Sequence, residues 1–268
     1  MSSDVVKLLL LGNGGAGKTG LLATLAASGY RLFIADFDSG LDILMDPTVL
    51  PVAARANVFY KTFYDKTKLT SGLLGPTAQA TGYTDFVAAM GDWKEDGKSL
   101  GGLYTWGPND VFVIDSLTFL GNAIMNHVLQ LSGRSGQKPQ LQDFGSAVDS
   151  QEALMETIYN PAVKCNVVVT AHLMAQADEM AGGVSKMFPS AIGKKLPTKI
   201  GRYFNSVVLV QKTGAGDKVK RELVTTATYT TDLKVSKPGS VPAIMPPDLA
   251  ALFTLLKGPV REKKEGAV

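Results

Sequence analysis

Runs of consecutive apolar residues recur along the chain, and each is followed by glycine or by a polar residue. Such short runs are typical of parallel strands that are buried on both faces of a sheet. They predict five strands, at residues 5–11, 31–35, 111–114, 166–170 and 206–211.

Segments of helical composition separate these strands and predict five helices, at residues 18–28, 84–94, 117–131, 148–161 and 248–256. Strands that alternate with helices favour an α/β fold with a mostly parallel central sheet covered by helices on both faces. Near the end of the chain, the GAGD turn at residues 214–217 separates the run 206–211 from the run 219–227. The sequence therefore also predicts a C-terminal antiparallel hairpin.

Three segments show no regular spacing of apolar residues that would predict a helix or a strand. Residues 132–143 are polar, basic and rich in turn formers, so they predict an exposed loop. Residues 173–199 carry glycine, methionine, serine and four lysines, and predict a long mobile segment. The charged residues 258–268 are expected to form a disordered tail after a single domain at residues 1–257.

The segment GNGGAGKT, at residues 12–19, lies between the first predicted strand and the first predicted helix and fits the pattern GxxxxGK[ST]. In such a loop, glycines let backbone N–H groups converge on phosphate oxygens, and the helix N-terminus adds its positive dipole. Lys18 is expected to reach the β- and γ-phosphates and Thr19 to ligate magnesium. A chance match in a glycine-rich chain is the alternative, but the flanking strand and helix argue against it. The predicted nucleotide-binding residues are Gly12, Asn13, Gly14, Gly15, Ala16, Gly17, Lys18, Thr19 and Gly20.

Polar side chains follow three other predicted strands. Asp115 ends the run VFVID and can support the magnesium ion, as a Walker B aspartate does, although any buried strand can end in Asp. Asp36 and Asp38 follow the second strand, and one of them could orient the attacking water. We predict Asp38 as the catalytic carboxylate, with a turn cap before Ser-Gly as the alternative. His172 follows the fourth strand, where it could sense the γ-phosphate or serve only as a structural residue.

Composition narrows the classes of protein. With 268 residues, 45% hydrophobic and 19% charged, the chain is that of an ordinary globular protein with a substantial core. The net charge of +3 permits a polyanionic partner without requiring one. Cys165 is the one cysteine, which excludes an intrachain disulfide and favours the cytoplasm. No segment approaches the roughly 20 apolar residues of a membrane span, and no signal peptide is predicted.

Four segments together resemble the RecA-like P-loop NTPase core: GNGGAGKT, FIADFDSGLD at residues 33–42, VFVIDS at 111–116 and VVVTAH at 167–172. In that family, the strand after the P-loop helix ends in a catalytic Glu shortly before a Leu-Asp pair, and here Asp38 takes that place. The resemblance implies an ATPase that is stimulated by DNA. Because Asp is one methylene shorter than Glu, its turnover is expected to be slow. The T-A-H form resembles phage nucleotide-binding proteins, including single-strand annealing proteins of the Sak-four type.

The resemblance also implies partners. RecA-like proteins hold single-stranded DNA in two loops, and the basic residues at those places here are Arg134, Lys138, Lys186, Lys194, Lys195 and Lys199. Solvated loops are the alternative. RecA-like subunits form rings or filaments in which a basic residue completes the neighbour's ATP site, a role predicted for Lys237 or Arg202. The implied cofactors are ATP and Mg²⁺, and a single-strand-binding protein is a further possible partner.

These features predict an ATP-dependent protein that promotes annealing or pairing of single strands in phage homologous recombination. Two other classes stay open. A nucleotide-dependent assembly switch, or a loader for replication proteins, would hydrolyse ATP only incidentally, and Asp38 in place of Glu slightly favours it. A small-molecule kinase would normally carry an arginine-rich lid, and the second half of the chain has no arginine cluster.

Overall fold

The computed structural model describes residues 5–70, 73–178 and 183–258. Nearly all of the predicted tail lies outside the described residues. The strands are β1 Lys7–Leu11, β2 Arg31–Asp36, β3 Val58–Thr62, β4 Lys66–Thr70, β5 Leu73–Gln79, β6 Lys94–Glu95, β7 Lys98–Ser99, β8 Asp110–Asp115, β9 Asn166–Ala171, β10 Leu173–Asp178, β11 Val184–Pro189, β12 Ser206–Thr213, β13 Lys220–Val224 and β14 Ile244–Met245. The helices are α1 Lys18–Ala27, α2 Gly82–Gly91, α3 Leu117–Leu131, α4 Leu141–Tyr159, α5 Leu196–Lys199 and α6 Leu249–Lys257.

The main sheet has the strand order β14-β13-β12-β1-β9-β8-β2-β3. The six strands from β12 to β3 are parallel, and β13 and β14 extend the sheet as antiparallel strands. All five predicted strands form, and the predicted hairpin is the pair β12–β13. The predicted fold class, a mostly parallel sheet flanked by helices with a C-terminal antiparallel hairpin, is confirmed.

Each face of the sheet is covered by helices because its central strands are apolar on both sides. Leu8 and Leu10 of β1 pack in the cluster that includes α1 and α6, whereas Leu9 and Leu11 pack in the cluster that includes α2, α3 and α4. Cys165 is fully buried, and burial raises the pKa of its thiol to about 12, so the thiol packs as an apolar group. No helix within the described ranges combines the length and apolarity needed to cross a membrane.

Helix α4 begins at Leu141, seven residues before its predicted start. The Asp143 carboxylate accepts a hydrogen bond from the Gln140 backbone N–H (2.7 Å), and the Gln140 side chain accepts one from the Asp143 backbone N–H. This capping box satisfies N–H groups at the helix N-terminus. Asp143 also forms an ion pair with Arg134. The exposed-loop prediction for residues 132–143 is therefore wrong at its end, where Asp143 is buried.

The predicted mobile segment at residues 173–199 contains regular structure instead. Strands β10 and β11 pair as an antiparallel hairpin from Leu173↔Pro189 to Asp178↔Val184, and α5 follows. The Ser190 N–H donates to the His172 carbonyl (2.7 Å) and closes the base of the hairpin. The prediction failed because polar residues interrupt both strands, LMAQAD and VSKMFP, so neither leaves a continuous apolar run of strand length. The edge strand β3 and the hairpins β4–β5 and β6–β7 were not predicted either.

The contact between Arg134 and Asp143 leads to a stability prediction. Asp143→Ala leaves a mostly buried guanidinium without its carboxylate and the Gln140 N–H without its cap, so the free energy of unfolding should fall by about 2–4 kcal/mol in urea titrations. Asp149→Ala is the matched control, because Asp149 is exposed in the same helix. It should change the unfolding free energy by less than about 0.5 kcal/mol. Equal effects of the two substitutions would contradict the structural role of Asp143.

Candidate active site

The loop after β1 presents a row of unpaired backbone donors. Gly15 and Gly17 have positive φ angles of 71° and 102°, which favour glycine. Ala16 N–H donates to Asn13 O and Leu21 N–H donates to Gly17 O, each at 3.1 Å. Within the described ranges, the N–H groups of Gly14, Gly15 and residues 17–20 have no backbone acceptor. Six convergent donors of this kind form a site for phosphate oxygens.

Lys18 lies over this loop with most of its side chain buried. Its ammonium donates to the carbonyls of Gly12 (2.9 Å) and Asn13 (3.2 Å). Burial lowers the pKa of Lys18, while the carboxylates of Asp115 and Asp38 act in the opposite direction. A lysine ammonium has three donors, so one remains for a ligand beside the loop.

Asp115 connects the end of β8 to the first turn of α1. Its Oδ2 accepts a hydrogen bond from Thr19 Oγ1 (2.7 Å), and its Oδ1 accepts one from Thr170 Oγ1. The Asp115–Ser116 peptide bond is cis. A hydroxyl oxygen backed by a carboxylate is a hard-oxygen donor set that suits Mg²⁺. The described residues contain no cluster of three or more His, Cys, Asp or Glu that could hold a metal, and Mg²⁺ at such sites takes further ligands from phosphates and water.

Asp38 has a buried carboxylate oxygen without a partner. Asp36 makes the turn-capping bond, since its Oδ1 accepts from the Asp38 N–H (3.3 Å), while its Oδ2 accepts from Thr62 Oγ1 (3.0 Å). Asp38 Oδ1 has no hydrogen-bond partner in the ranges that the structure describes. Burial, followed by the charges of Asp115 and Asp36, raises the pKa of Asp38 to about 6. An unpaired buried oxygen that faces other charged groups indicates a place for a water molecule or a cation.

His172 lies between the phosphate-binding loop and the β10–β11 hairpin. Its backbone N–H donates to Thr118 Oγ1 (3.2 Å), and its ring meets the Phe119 ring edge-on, with 6.1 Å between centroids. Its Cε1 lies 4.0 Å from the position that a Cβ on Gly14 would occupy. Burial and the charge of Lys18 lower the pKa of His172, which keeps the imidazole neutral at neutral pH.

The sequence from residue 5 to residue 234 matches the model of the AAA_24 family, described as an AAA domain. The chain belongs to this family. It is therefore a P-loop ATPase, and the assignment of residues 12–19 as the nucleotide-binding loop stays a prediction.

Several solved structures superpose on this AAA domain at low identity. The flagellar accessory protein FlaH from Methanocaldococcus jannaschii aligns over 89% of this chain and 83% of its own, with 12% identity and a TM-score of 0.44. The RadB recombinase aligns over 82% and 79%, with 12% identity and a TM-score of 0.42. A KaiC-like protein from Pyrococcus horikoshii OT3 aligns over 86% and 82%, with 8% identity and a TM-score of 0.42. Among curated proteins, none matches the sequence significantly.

The residues predicted to contact DNA lie in different environments of the AAA domain. Lys138, Lys194, Lys195 and Lys199 are exposed. Lys186 of β11 lies 3.7 Å from the Asp232 carboxylate. The guanidinium of Arg134, by contrast, is held by Asp143, so its charge is already neutralised within the fold.

The two candidates for a role in a neighbour's ATP site both make contacts in their own chain. Arg202 donates to Glu152 Oε1 (2.7 Å) and to the Tyr203 hydroxyl (3.2 Å). The Lys237 ammonium donates to the Lys257 carbonyl. Their role between subunits stays a prediction.

Sequence reasoning missed three side chains at this site. Thr170 and Thr118 orient Asp115 and His172 through hydroxyl groups, and small hydroxyl residues at strand ends carry no distinctive pattern. The third is Arg221 of β13, whose Nε donates to the Ala16 carbonyl (3.1 Å). Arg221 reaches the loop because the β12–β13 hairpin turns the chain back toward it.

The raised pKa of Asp38 leads to a prediction about stability and catalysis. Because its folded pKa of about 6 exceeds the ordinary value of 3.8, the nucleotide-free protein should lose stability as pH rises from about 4 to about 6. Asp38→Asn removes this effect, so the variant should unfold at a higher temperature than the unmodified protein at pH 7 and at the same temperature below pH 4. Its single-turnover ATP hydrolysis should fall by at least about 100-fold.

Asp38→Glu is the comparison variant, because it retains the carboxylate and lengthens the side chain by one methylene. It should retain hydrolysis that Asp38→Asn loses. An Asp38→Asn protein that hydrolyses ATP at the unmodified rate would exclude Asp38 as the catalytic carboxylate.

Proposed function

We propose that this AAA domain is an ATP-dependent, single-stranded-DNA-binding RecA-like protein that promotes strand annealing or pairing in phage homologous recombination. The observation that carries the proposal is the unpaired oxygen of Asp38, which lies near Lys18, Thr19 and Asp115. His172 connects this site to the β10–β11 hairpin. The annealing proteins of the Sak-four type, which the sequence resembles, provide the biological class.

The loop and its neighbours divide the work of ATP hydrolysis. Within the described ranges, the N–H groups of Gly14, Gly15 and residues 17–20 have no backbone acceptor, and with the third donor of Lys18 they would bind the phosphates. Thr19 and Asp115 would hold Mg²⁺. The metal ion, when bound, would neutralise charge that develops on the phosphates. With a pKa of about 6, Asp38 is mostly ionised at neutral pH and can orient and deprotonate the attacking water.

We propose that turnover is slow, because the side chain of Asp38 is short. Its carboxylate lies against Asp36 and Asp115 at the sheet edge, with a backbone N–H that is held by Asp36. A glutamate at this position would extend one methylene further toward the phosphates. The Asp38→Glu variant should therefore hydrolyse ATP faster than the unmodified protein if side-chain length limits the rate.

The path from nucleotide to DNA runs through His172. Its Cε1 lies 4.0 Å from the position that a Cβ on Gly14 would occupy, and its carbonyl accepts the hydrogen bond from Ser190 that closes the hairpin. Gln176 of the same hairpin donates to the Lys194 carbonyl (3.1 Å), next to Lys195. Loss of the γ-phosphate would thus change the position of exposed lysines that can bind the phosphate backbone of DNA.

Assembly and partners complete the proposal. Subunits would form a ring or a filament on single-stranded DNA, with Lys237 or Arg202 released from its own chain to reach a neighbour's nucleotide. A single-strand-binding protein would be a further partner, and the compartment would be the cytoplasm of the bacterial host.

A nucleotide-dependent assembly switch or loader is the second candidate, and Asp38 in place of Glu is the feature that favours it. Single-turnover ATP hydrolysis with and without single-stranded DNA distinguishes the two. Stimulation by DNA supports the recombination function, whereas an unchanged rate supports the switch.

The exposed lysines after the hairpin give a direct test of DNA binding. Lys194→Glu with Lys195→Glu should weaken binding to a single-stranded oligonucleotide by at least about 10-fold at 100 mM salt, because two phosphate contacts are lost and two repulsions are added. The slope of log affinity against log salt should decrease by about 1–2. Fluorescence anisotropy measures both quantities.

Lys94→Glu with Lys98→Glu is the matched control. It makes the same charge change in the β6–β7 hairpin, which lies between the end of α2 and the start of β8, away from the edge where β8 and β9 end. It should leave DNA affinity nearly unchanged. If both double variants lose affinity equally, binding depends on net charge and the assignment to the 194–195 segment is wrong.

A further inference from the structure

Arg221 reaches the nucleotide-binding loop from the far side of the site. It lies on β13, which is separated from β1 by β12 in the sheet. Its Nε nevertheless donates to the Ala16 carbonyl at 3.1 Å. This is a charge-assisted hydrogen bond, which is roughly twice as strong as a neutral one.

The fit between Arg221 and the loop is close. A Cβ built on Gly17 would lie 3.0 Å from Arg221 Nε and 3.1 Å from Arg221 Cδ. The positive φ angle favours glycine at position 17, and a side chain there would also crowd the arginine. The loop and the arginine pack as one unit.

The positive charge of Arg221 is not used elsewhere in the part of the chain that the structure describes. No ion pair to a carboxylate is found there for its guanidinium, and its cross-strand partner is Lys212, a second cation. A guanidinium has five N–H donors, and the bond to Ala16 uses one of them. The β13 side of the loop is thus electropositive, whereas the opposite side carries Asp38 and Asp115.

The bond to Ala16 acts on a group that phosphate would contact. The Ala16 carbonyl and the Gly17 N–H belong to the same peptide unit, and the Gly17 N–H has no backbone acceptor among the described residues. A donor on the carbonyl polarises the N–H of that unit and fixes its direction.

We propose that Arg221 is a positioning residue for nucleotide binding: it holds the Ala16–Gly17 peptide of the loop in the orientation that binds a nucleoside triphosphate and adds positive charge behind the phosphates. This inference rests on the nucleotide site of the proposed function. It adds a residue from the antiparallel hairpin to a site otherwise built at the ends of parallel strands.

The test measures Mg²⁺-ATP affinity by calorimetry for Arg221→Gln, Arg221→Lys and the control Lys220→Gln. Lys220 is the adjacent exposed residue of β13, so its substitution removes the same charge while its side chain points to the opposite face. Arg221→Gln should weaken affinity by about 10-fold, the value of one charge-assisted hydrogen bond. Arg221→Lys should lie between Arg221→Gln and the unmodified protein, and Lys220→Gln should change affinity by less than about 2-fold.

Two further readings separate positioning from a structural role. The nucleotide-free Arg221→Gln protein should unfold at a slightly lower temperature than Lys220→Gln, because the bond to Ala16 is lost, and it should also show a selective loss of ATP affinity. A merely structural arginine would lower the unfolding temperature without that selective loss. If Arg221→Gln does not fold, Arg221→Lys carries the test, and affinity equal to that of the unmodified protein would overturn the proposal.

The remaining outcomes are also decisive. Unchanged affinity in Arg221→Gln, or an equal loss in Lys220→Gln, would overturn the role of Arg221 while leaving the nucleotide site intact. If the unmodified protein itself binds no Mg²⁺-ATP, the proposed function fails, and the role of Arg221 fails with it.

Discussion

Crowding of carboxylates at one edge of a parallel sheet is the constraint on which this site depends. Strands β2 and β8 are in register, so Asp36 lies beside Asp115. Asp38 follows two residues after Asp36 in the chain. Lys18 is the cation within the cluster, and its ammonium is also held by two loop carbonyls. The negative charge is therefore incompletely balanced. Burial raises the pKa of Asp38 most, and the charges of Asp115 and Asp36 raise it further. A magnesium-bound triphosphate would bring the missing positive charge to this side and phosphate oxygens to the free N–H groups.

The site is polarised from one side to the other. In the proposed function, Arg221 and the loop N–H groups would attract phosphate on the β13 side, and the aspartates would attract the metal ion and activate water on the β2 side. His172 lies at the base of the β10–β11 hairpin, where its carbonyl accepts a hydrogen bond from the Ser190 N–H. The hairpin is also held by the Met187 N–H, which donates to the Thr230 carbonyl (2.7 Å).

The central strands and the loop could be predicted because burial on both faces leaves continuous apolar runs, and a phosphate-binding loop leaves a fixed glycine spacing. The start of α4 could not be predicted, because Gln140 and Asp143 are residue types common in loops. Only the structure shows that each side chain caps the backbone N–H of the other residue. Arg221 was invisible for a different reason: its partner is a backbone carbonyl 205 residues earlier, and a carbonyl has no sequence signature. The β10–β11 hairpin was missed because polar residues interrupt the apolar positions of both strands.

Calorimetric titration of ATP, with Mg²⁺ and with EDTA, into the unmodified protein and into Lys18→Ala tests this electrostatic balance most directly. The unmodified protein should bind ATP at least about 10-fold more tightly with Mg²⁺, because the metal offsets the charge of Asp38 and Asp115. Lys18→Ala should lose at least about 10-fold in affinity, because a buried charge-assisted contact to phosphate is removed. Binding that is indifferent both to Mg²⁺ and to Lys18 would contradict the assignment of this loop and its aspartates as the nucleotide site.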